Sequence, residues 1–194
     1  MLPEMALAQA ATTAERESAE IIVTARRRSE RLLDVPGGAS VIGSGVLAER
    51  GGATNIAELL AGQPGVRVLD TASPVTNEIS LRGSPTTRGT SGDPAVGLFR
   101  DGAYIGGTGF SGRSFARIDQ FDIGRVEVLR GTQGALYGRN AVGGAVNMVS
   151  ARPEFENSGW ATVRFAGGNE QLQTQAVANL DLGDGFAMRL GVDN

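Results

Sequence analysis

FDIGRVEVLRGTQGALYGRNAVGGAVNMVSARP, residues 121–153, decides how the rest of the chain is read. Val126-Glu127-Val128-Leu129 is strand-like and runs into Arg130-Gly131. A turn punctuated by Gly134, Gly138, Gly143 and Gly144 follows, and a second strand-like run from Ala145 to Val149 is closed by Arg152-Pro153. Glycine adopts positive φ and permits close backbone approach, so the stretch reads as two strands joined by a compact loop.

Upstream, Leu33 to Asp70 has the pattern of a small α/β layer. Asp34-Val35-Pro36 opens an extended stretch, Ala39 to Ile42, ahead of a short helix from Ser44 to Arg50 that Gly51-Gly52 stops. A second helix is predicted from about Asn55, with Asn55 and Glu58 at capping-box spacing and Ile56, Leu59 and Leu60 on one face. Gly62-Gln63-Pro64-Gly65 ends it, and Val66 to Leu69 and Glu78 to Leu81 read as strands. The loop Ser84 to Pro94, the strand Ala95 to Arg100, the turn Asp101-Gly102 and a second loop, Tyr104 to Phe115, complete this part.

Downstream of Pro153 the period becomes two. Ala161, Val163 and Phe165 alternate with polar neighbours. So do Leu172, Thr174, Ala176, Ala178, Leu180 and Leu182, and then Phe186, Met188, Leu190 and Val192. Gly183-Asp184-Gly185 is a tight turn between the last two runs. Runs of about ten alternating residues suit transmembrane barrel strands, and they suit a sheet on a soluble core equally well.

Composition narrows the chemistry. The chain of 194 residues has no His and no Cys, and its 18 basic residues are all Arg. Zinc ligands of the usual kind, thiol nucleophiles, imidazole bases and Schiff-base or phosphate-loop lysines are therefore missing. GTQGALYGRNAVGG fits neither glycine-rich phosphate-binding pattern, so an enzyme reading has no support. A formal net charge of −3 argues against a nucleic-acid binder, which carries a basic face. No window approaches the ~18 apolar residues of a membrane-spanning helix, which leaves barrel strands open. Met5 to Ala10 ends in the Ala-x-Ala pattern of a signal-peptide tail, and the basic and long apolar regions that precede such a tail are missing. The expectation is a truncated or misplaced start, with residues 1–10 a residual leader.

The order of residues in VEVLRG-x-QG-x-LYG-x-NA-x-GG-x-VN closely resembles the last part of the plug domain of TonB-dependent outer-membrane receptors. Ile79-Ser80-Leu81-Arg82-Gly83 resembles the same family's Ile-x-Ile-Arg-Gly motif, with Leu81 a mild departure. The resemblance covers nearly everything from Glu20 onward. It implies an α+β fold: a plug domain with a small mixed β-sheet and short helices, followed by the first ~3 antiparallel strands of an incomplete transmembrane β-barrel of about 22 strands. The division it implies is 11–31 as a periplasmic extension, 32–153 as plug and 154–194 as the start of the barrel.

What else it implies concerns function. Glu20, Ile21, Ile22, Val23, Thr24 and Ala25 match the TonB box, which adds as a strand to the energy-transducing protein TonB. Arg82, Glu127 and Arg130 match residues at the plug–barrel contact. Arg88, Tyr104, Phe110 and Arg113 lie in loops expected near the outward-facing apex, where a ligand such as a ferric chelate binds. Ligand binding would favour release of the TonB box, and TonB would draw on the proton gradient to displace part of the plug. No cofactor, metal or nucleic-acid partner is implied. A plug-like fragment that transports nothing carries the same motifs.

Overall fold

The computed structural model describes residues 22–24, 30–35, 38–49, 59–60, 62–70, 77–85, 95–105, 121–138, 141–166 and 171–194. The core is a five-stranded mixed sheet built around two long central strands, β9 (Ile123–Arg130) and β10 (Gly144–Ser150), which pair antiparallel from Gly144 opposite Arg130 to Ser150 opposite Ile123. β3 (Ala39–Gly43) flanks β9 antiparallel, and β7 (Val96–Arg100) flanks β10 in parallel. β8 (Ala103–Tyr104) closes the edge, giving the order β3-β9-β10-β7-β8. Both predicted strands of residues 121–153 are therefore present, and each is longer than its apolar run.

The loop between them differs from a plain turn. Gly134–Tyr137 forms one helical turn, α2, because the Gln133 carbonyl accepts the amides of Leu136 and Tyr137, at 3.0 Å each. Gly138 at φ +83° ends it. Close approach is demanded most at Gly144, φ +152°, where a Cβ would collide with the Leu129 carbonyl oxygen and Leu81 Cδ1.

One face of the sheet holds Ile42, Leu98, Val126, Val128, Val146 and Met148. Against it pack Leu47 of α1 (Ser44–Glu49), the helical residues Leu59 and Leu60, and Ile79 and Leu81. The expected capping pair Asn55 and Glu58 lies outside the described residues. Ile79 and Leu81 belong to β5 (Asn77–Leu81), the middle of a smaller antiparallel sheet with β4 (Val66–Asp70) and β6 (Ser84–Pro85). The turn before β4 is made as its sequence predicts, with positive φ at Gly62 and Gly65.

The opposite face carries Val41, Phe99, Glu127, Leu129, Ala145 and Asn147, since residues two apart in a strand share a face. It is covered by the N-terminal segment: β1 (Ile22–Val23), β2 (Glu30–Arg31) and a single 3-10 turn, Leu32–Asp34, with Val23 and Val35 buried against Phe99, Leu129 and Ala145.

After Pro153 the chain forms a separate antiparallel meander: β11 (Ser158–Ala166), β12 (Gln171–Gly183) and β13 (Phe186–Asp193). Its turn at Gly183, Asp184 and Gly185 has positive φ at all three residues. Register places Ala161, Ala176 and Val192 in one row and Phe165 opposite Leu172, so the alternating apolar residues share a face. That face points away from the core: Val163, Phe165, Leu172, Leu190 and Val192 are all more than half exposed. The inner face, with Val177 and Asn179 buried, turns toward the core. Asn179 clamps the connecting segment, donating to the carbonyls of Glu154 and Glu156 and accepting the Glu154 amide. The periodicity alone left a soluble-core sheet open, but on such a sheet the apolar side would be the buried one.

Candidate functional site

The described part of residues 20–25 is Ile22, Val23 and Thr24; Glu20, Ile21 and Ala25 lie outside it. Ile22 pairs with Arg31 and Val23 with Glu30, antiparallel. Val23 is fully buried and acts as an apolar knob in the covered face of the sheet. Thr24 binds by polar groups: its backbone amide and its hydroxyl both donate to Glu127 Oε1, at 2.9 and 3.2 Å.

Glu127 is itself fully buried, in the middle of β9. An ionised carboxylate inside a protein needs charge and hydrogen-bond partners. Arg125, two residues earlier on the same strand face, supplies a 2.8 Å ion pair to the same oxygen and donates at 3.0 Å to the Thr24 hydroxyl. Asn147 on the neighbouring strand donates to Glu127 Oε2 at 3.5 Å, and its carbonyl oxygen accepts the Gly102 amide at 3.1 Å. Glu127, expected at the contact with a barrel wall, thus turns its carboxylate into the core and holds the N-terminal segment there. Arg125 and Asn147 were not singled out from the sequence. Arg125 was detectable, since a residue two before a glutamate in a strand shares its face; Asn147, and the pairing of Thr24 with Glu127, depend on contacts across the fold.

Arg82 and Arg130 come together. Arg82 sits at φ +50° at the end of β5, and Arg130 ends β9. A Cβ placed on Gly38 would lie 3.6 Å from Arg82 Nη2 and 3.7 Å from Arg130 Nε, so both guanidiniums approach Gly38. Arg130 donates to the carbonyl oxygens of Pro64 and Ala39, the latter at 3.0 Å, joining the small sheet to the large one.

Of the residues expected near the ligand, Arg88, Phe110 and Arg113 lie outside the described residues. Tyr104 is exposed on the edge strand β8, its ring edge-on to Phe99 at 5.5 Å. Among the described residues no cluster of three metal-ligating side chains occurs.

One further contact was not anticipated. Arg189 on β13 reaches Asp122, in the turn just before β9, through two parallel bonds of 2.7 and 2.6 Å. Such a fork is the strongest form of arginine–carboxylate pair. Neither residue stands out in its own sequence context.

Residues 31–145 match the family model described as the TonB-dependent Receptor Plug Domain. The chain is 30% identical over 160 residues to the pesticin receptor of Yersinia pestis, covering 82% of this chain and 22% of that protein. It is 30% identical over 118 residues to the vitamin B12 transporter BtuB of Photobacterium profundum, covering 61% of this chain and 18% of that one. Among solved structures it resembles the ferric yersiniabactin uptake receptor FyuA from Yersinia pestis, at 26% identity and a TM-score of 0.56, over 76% of this chain and 22% of that one. It also resembles the ferric-catecholate import receptor Fiu from E. coli K12, at 25% identity and a TM-score of 0.63, over 87% and 22%. The chain therefore spans about a fifth of the length of these relatives.

Proposed function

Since the chain belongs to the TonB-dependent receptors through their plug domain, we propose that it is the plug and first barrel strands of an outer-membrane receptor that imports a scarce ligand, a ferric siderophore before others. The observation that carries this reading is the seat of Thr24 on the buried carboxylate of Glu127. A two-residue strand held on the plug by Thr24 at one carboxylate and by one buried valine is a segment that can be let go.

In this reading residues 20–25 are the TonB box, docked in the resting receptor and drawn out as a strand by TonB. The exposed apolar face of β11–β13 faces lipid, and the outer membrane is its location. Arg82 and Arg130, both near Gly38, meet carboxylates of the barrel wall. Arg88, Tyr104, Phe110 and Arg113 lie toward the ligand. Ferric chelates lead because a ferrioxamine receptor of Yersinia enterocolitica, 33% identical over 104 residues, joins the yersiniabactin and catecholate receptors among the relatives.

The test is Ile22→Pro in the receptor that carries this sequence. Proline removes a backbone donor needed for strand addition and leaves the outer loops unchanged. Cells are offered radioiron on hydroxamate, catecholate and phenolate siderophores. Whichever chelate the parent imports should still bind to the variant and no longer enter. Normal uptake by the variant would place the box elsewhere, and no uptake of any chelate by the parent would remove the siderophore reading.

A further inference from the structure

We propose that Asp122 and Arg189 form an anchor that holds strand β9 to β13 while the N-terminal segment is pulled off the other part of the same strand. This rests on the reading of residues 20–25 as the pulled segment.

Thr24 is attached to β9 at Glu127. Asp122 lies five residues earlier, just before β9 begins, so the two attachments are roughly 17 Å apart along one extended chain at ~3.3 Å per residue. A load applied at Thr24 enters β9 at Glu127 and is shared between the pairings of β9 with β3 and β10 and the Asp122–Arg189 fork, its link to β13. The anchor is broader than one ion pair. The Phe121 ring lies flush on Gly191, where a Cβ would come within 2.6 Å of it, and 6.3 Å from the Trp160 ring, so residues 121 and 122 both dock on the face of β13 that carries Arg189 and Gly191. On their other side, the Phe121 carbonyl oxygen accepts Arg100 at 3.0 Å and the Asp122 carbonyl oxygen accepts the Ala151 amide at 2.9 Å, tying the anchor into β7 and the end of β10. Asp122 takes φ +54°, a conformation uncommon for a side-chain-bearing residue, and is held on two sides, by Arg189 of β13 and by the Ala151 amide after β10.

The two ends of the path differ in strength. β9 is zipped along its length to β3 and β10, and a load along a strand must break those bonds together. β1 is two residues long, pairs only with the two residues of β2 among the described residues, and hangs on the Thr24 bonds and one buried valine. Segments with few attachments open first. The geometry sends release to β1 and leaves β9, with the Arg130 that caps it, in place.

The experiment pulls the membrane-embedded receptor by a single thiol handle at Ser18→Cys, residues 1–194 having no cysteine and any further along the receptor being replaced by serine. The length of chain released before the force plateau is read. In the parent, extension should stop short of Asp122. In Asp122→Asn, which tolerates the same backbone, and in Arg189→Gln, it should run past residue 122 at the same load, and the double variant should add nothing. Arg125→Gln should lower only the force of the first event and leave the stop where it is. Should Asp122→Asn assemble poorly, the pair Asp122→Cys with Arg189→Cys, crosslinked, should raise the force at the stop. A stop that neither single variant shifts, or a parent that extends past residue 122 without one, would overturn the anchor. If the stop behaves as stated while Ile22→Pro leaves uptake normal, the anchor stands and the TonB-box reading falls.

Discussion

Both donors of Thr24, the backbone amide and the hydroxyl, converge on one oxygen of the buried Glu127 carboxylate, 103 residues further along the chain. Arg125 closes the triangle by donating to the same carboxylate oxygen and to the Thr24 hydroxyl. A segment that must be both seated and removable is well served by this arrangement, because three short bonds meet at a single side chain.

Glu127→Ala should therefore cost about 2 to 3 kcal/mol, because the Thr24 donors and the Arg125 cation lose their shared acceptor inside the fold. Hydrogen exchange at the Thr24 amide should accelerate more than exchange in β9. Glu127→Gln keeps an acceptor oxygen and should retain most of the protection. Equal exchange in the parent and the alanine variant would mean that the bond does not hold the segment.

Gly144→Ala should be among the most damaging single-methyl changes in the chain. The new Cβ meets the Leu129 carbonyl oxygen and Leu81 Cδ1 in a region of φ that disfavours side chains. Strain and overpacking together predict a loss of about 3 kcal/mol or more in urea unfolding. Gly134→Ala, with nothing within 4 Å of its Cβ, is the matched control and should change stability by less than about 1 kcal/mol.

Arg130→Ala should separate the small sheet from the large one, since the carbonyls of Pro64 and Ala39 lose a charged donor. A loss of about 2 kcal/mol is expected, and Arg130→Lys should recover less than half of it, because an ammonium cannot reach both carbonyls as a planar fork does. In the intact receptor the alanine variant should also raise permeability to large antibiotics. Full recovery by lysine would show that charge alone matters there.

The exposed face of β11–β13 should bind detergent or lipid. Val163→Asp with Leu190→Asp should sharply reduce association of the purified chain with liposomes. Thr162→Asp, on the opposite face of β11, should reduce it much less. Equal loss from either face would argue against a lipid-facing side.

Local order was legible in the residues themselves. Alternation marked β11, β12 and β13, and glycine spacing marked the joint between β9 and β10, because a strand's period and a turn's φ are properties of neighbouring residues. The plug motif from Val126 to Asn147 also carries the family resemblance by itself. Tertiary structure alone decided which side of each strand was buried and which residues met. The apolar side of β11–β13 faces outward, although periodicity treats both sides alike. Glu127 turns inward to Thr24, and Asp122 finds Arg189 across 67 residues of sequence. Those pairings depend on how the chain closes its long loops, and distant residues carry no local trace of one another.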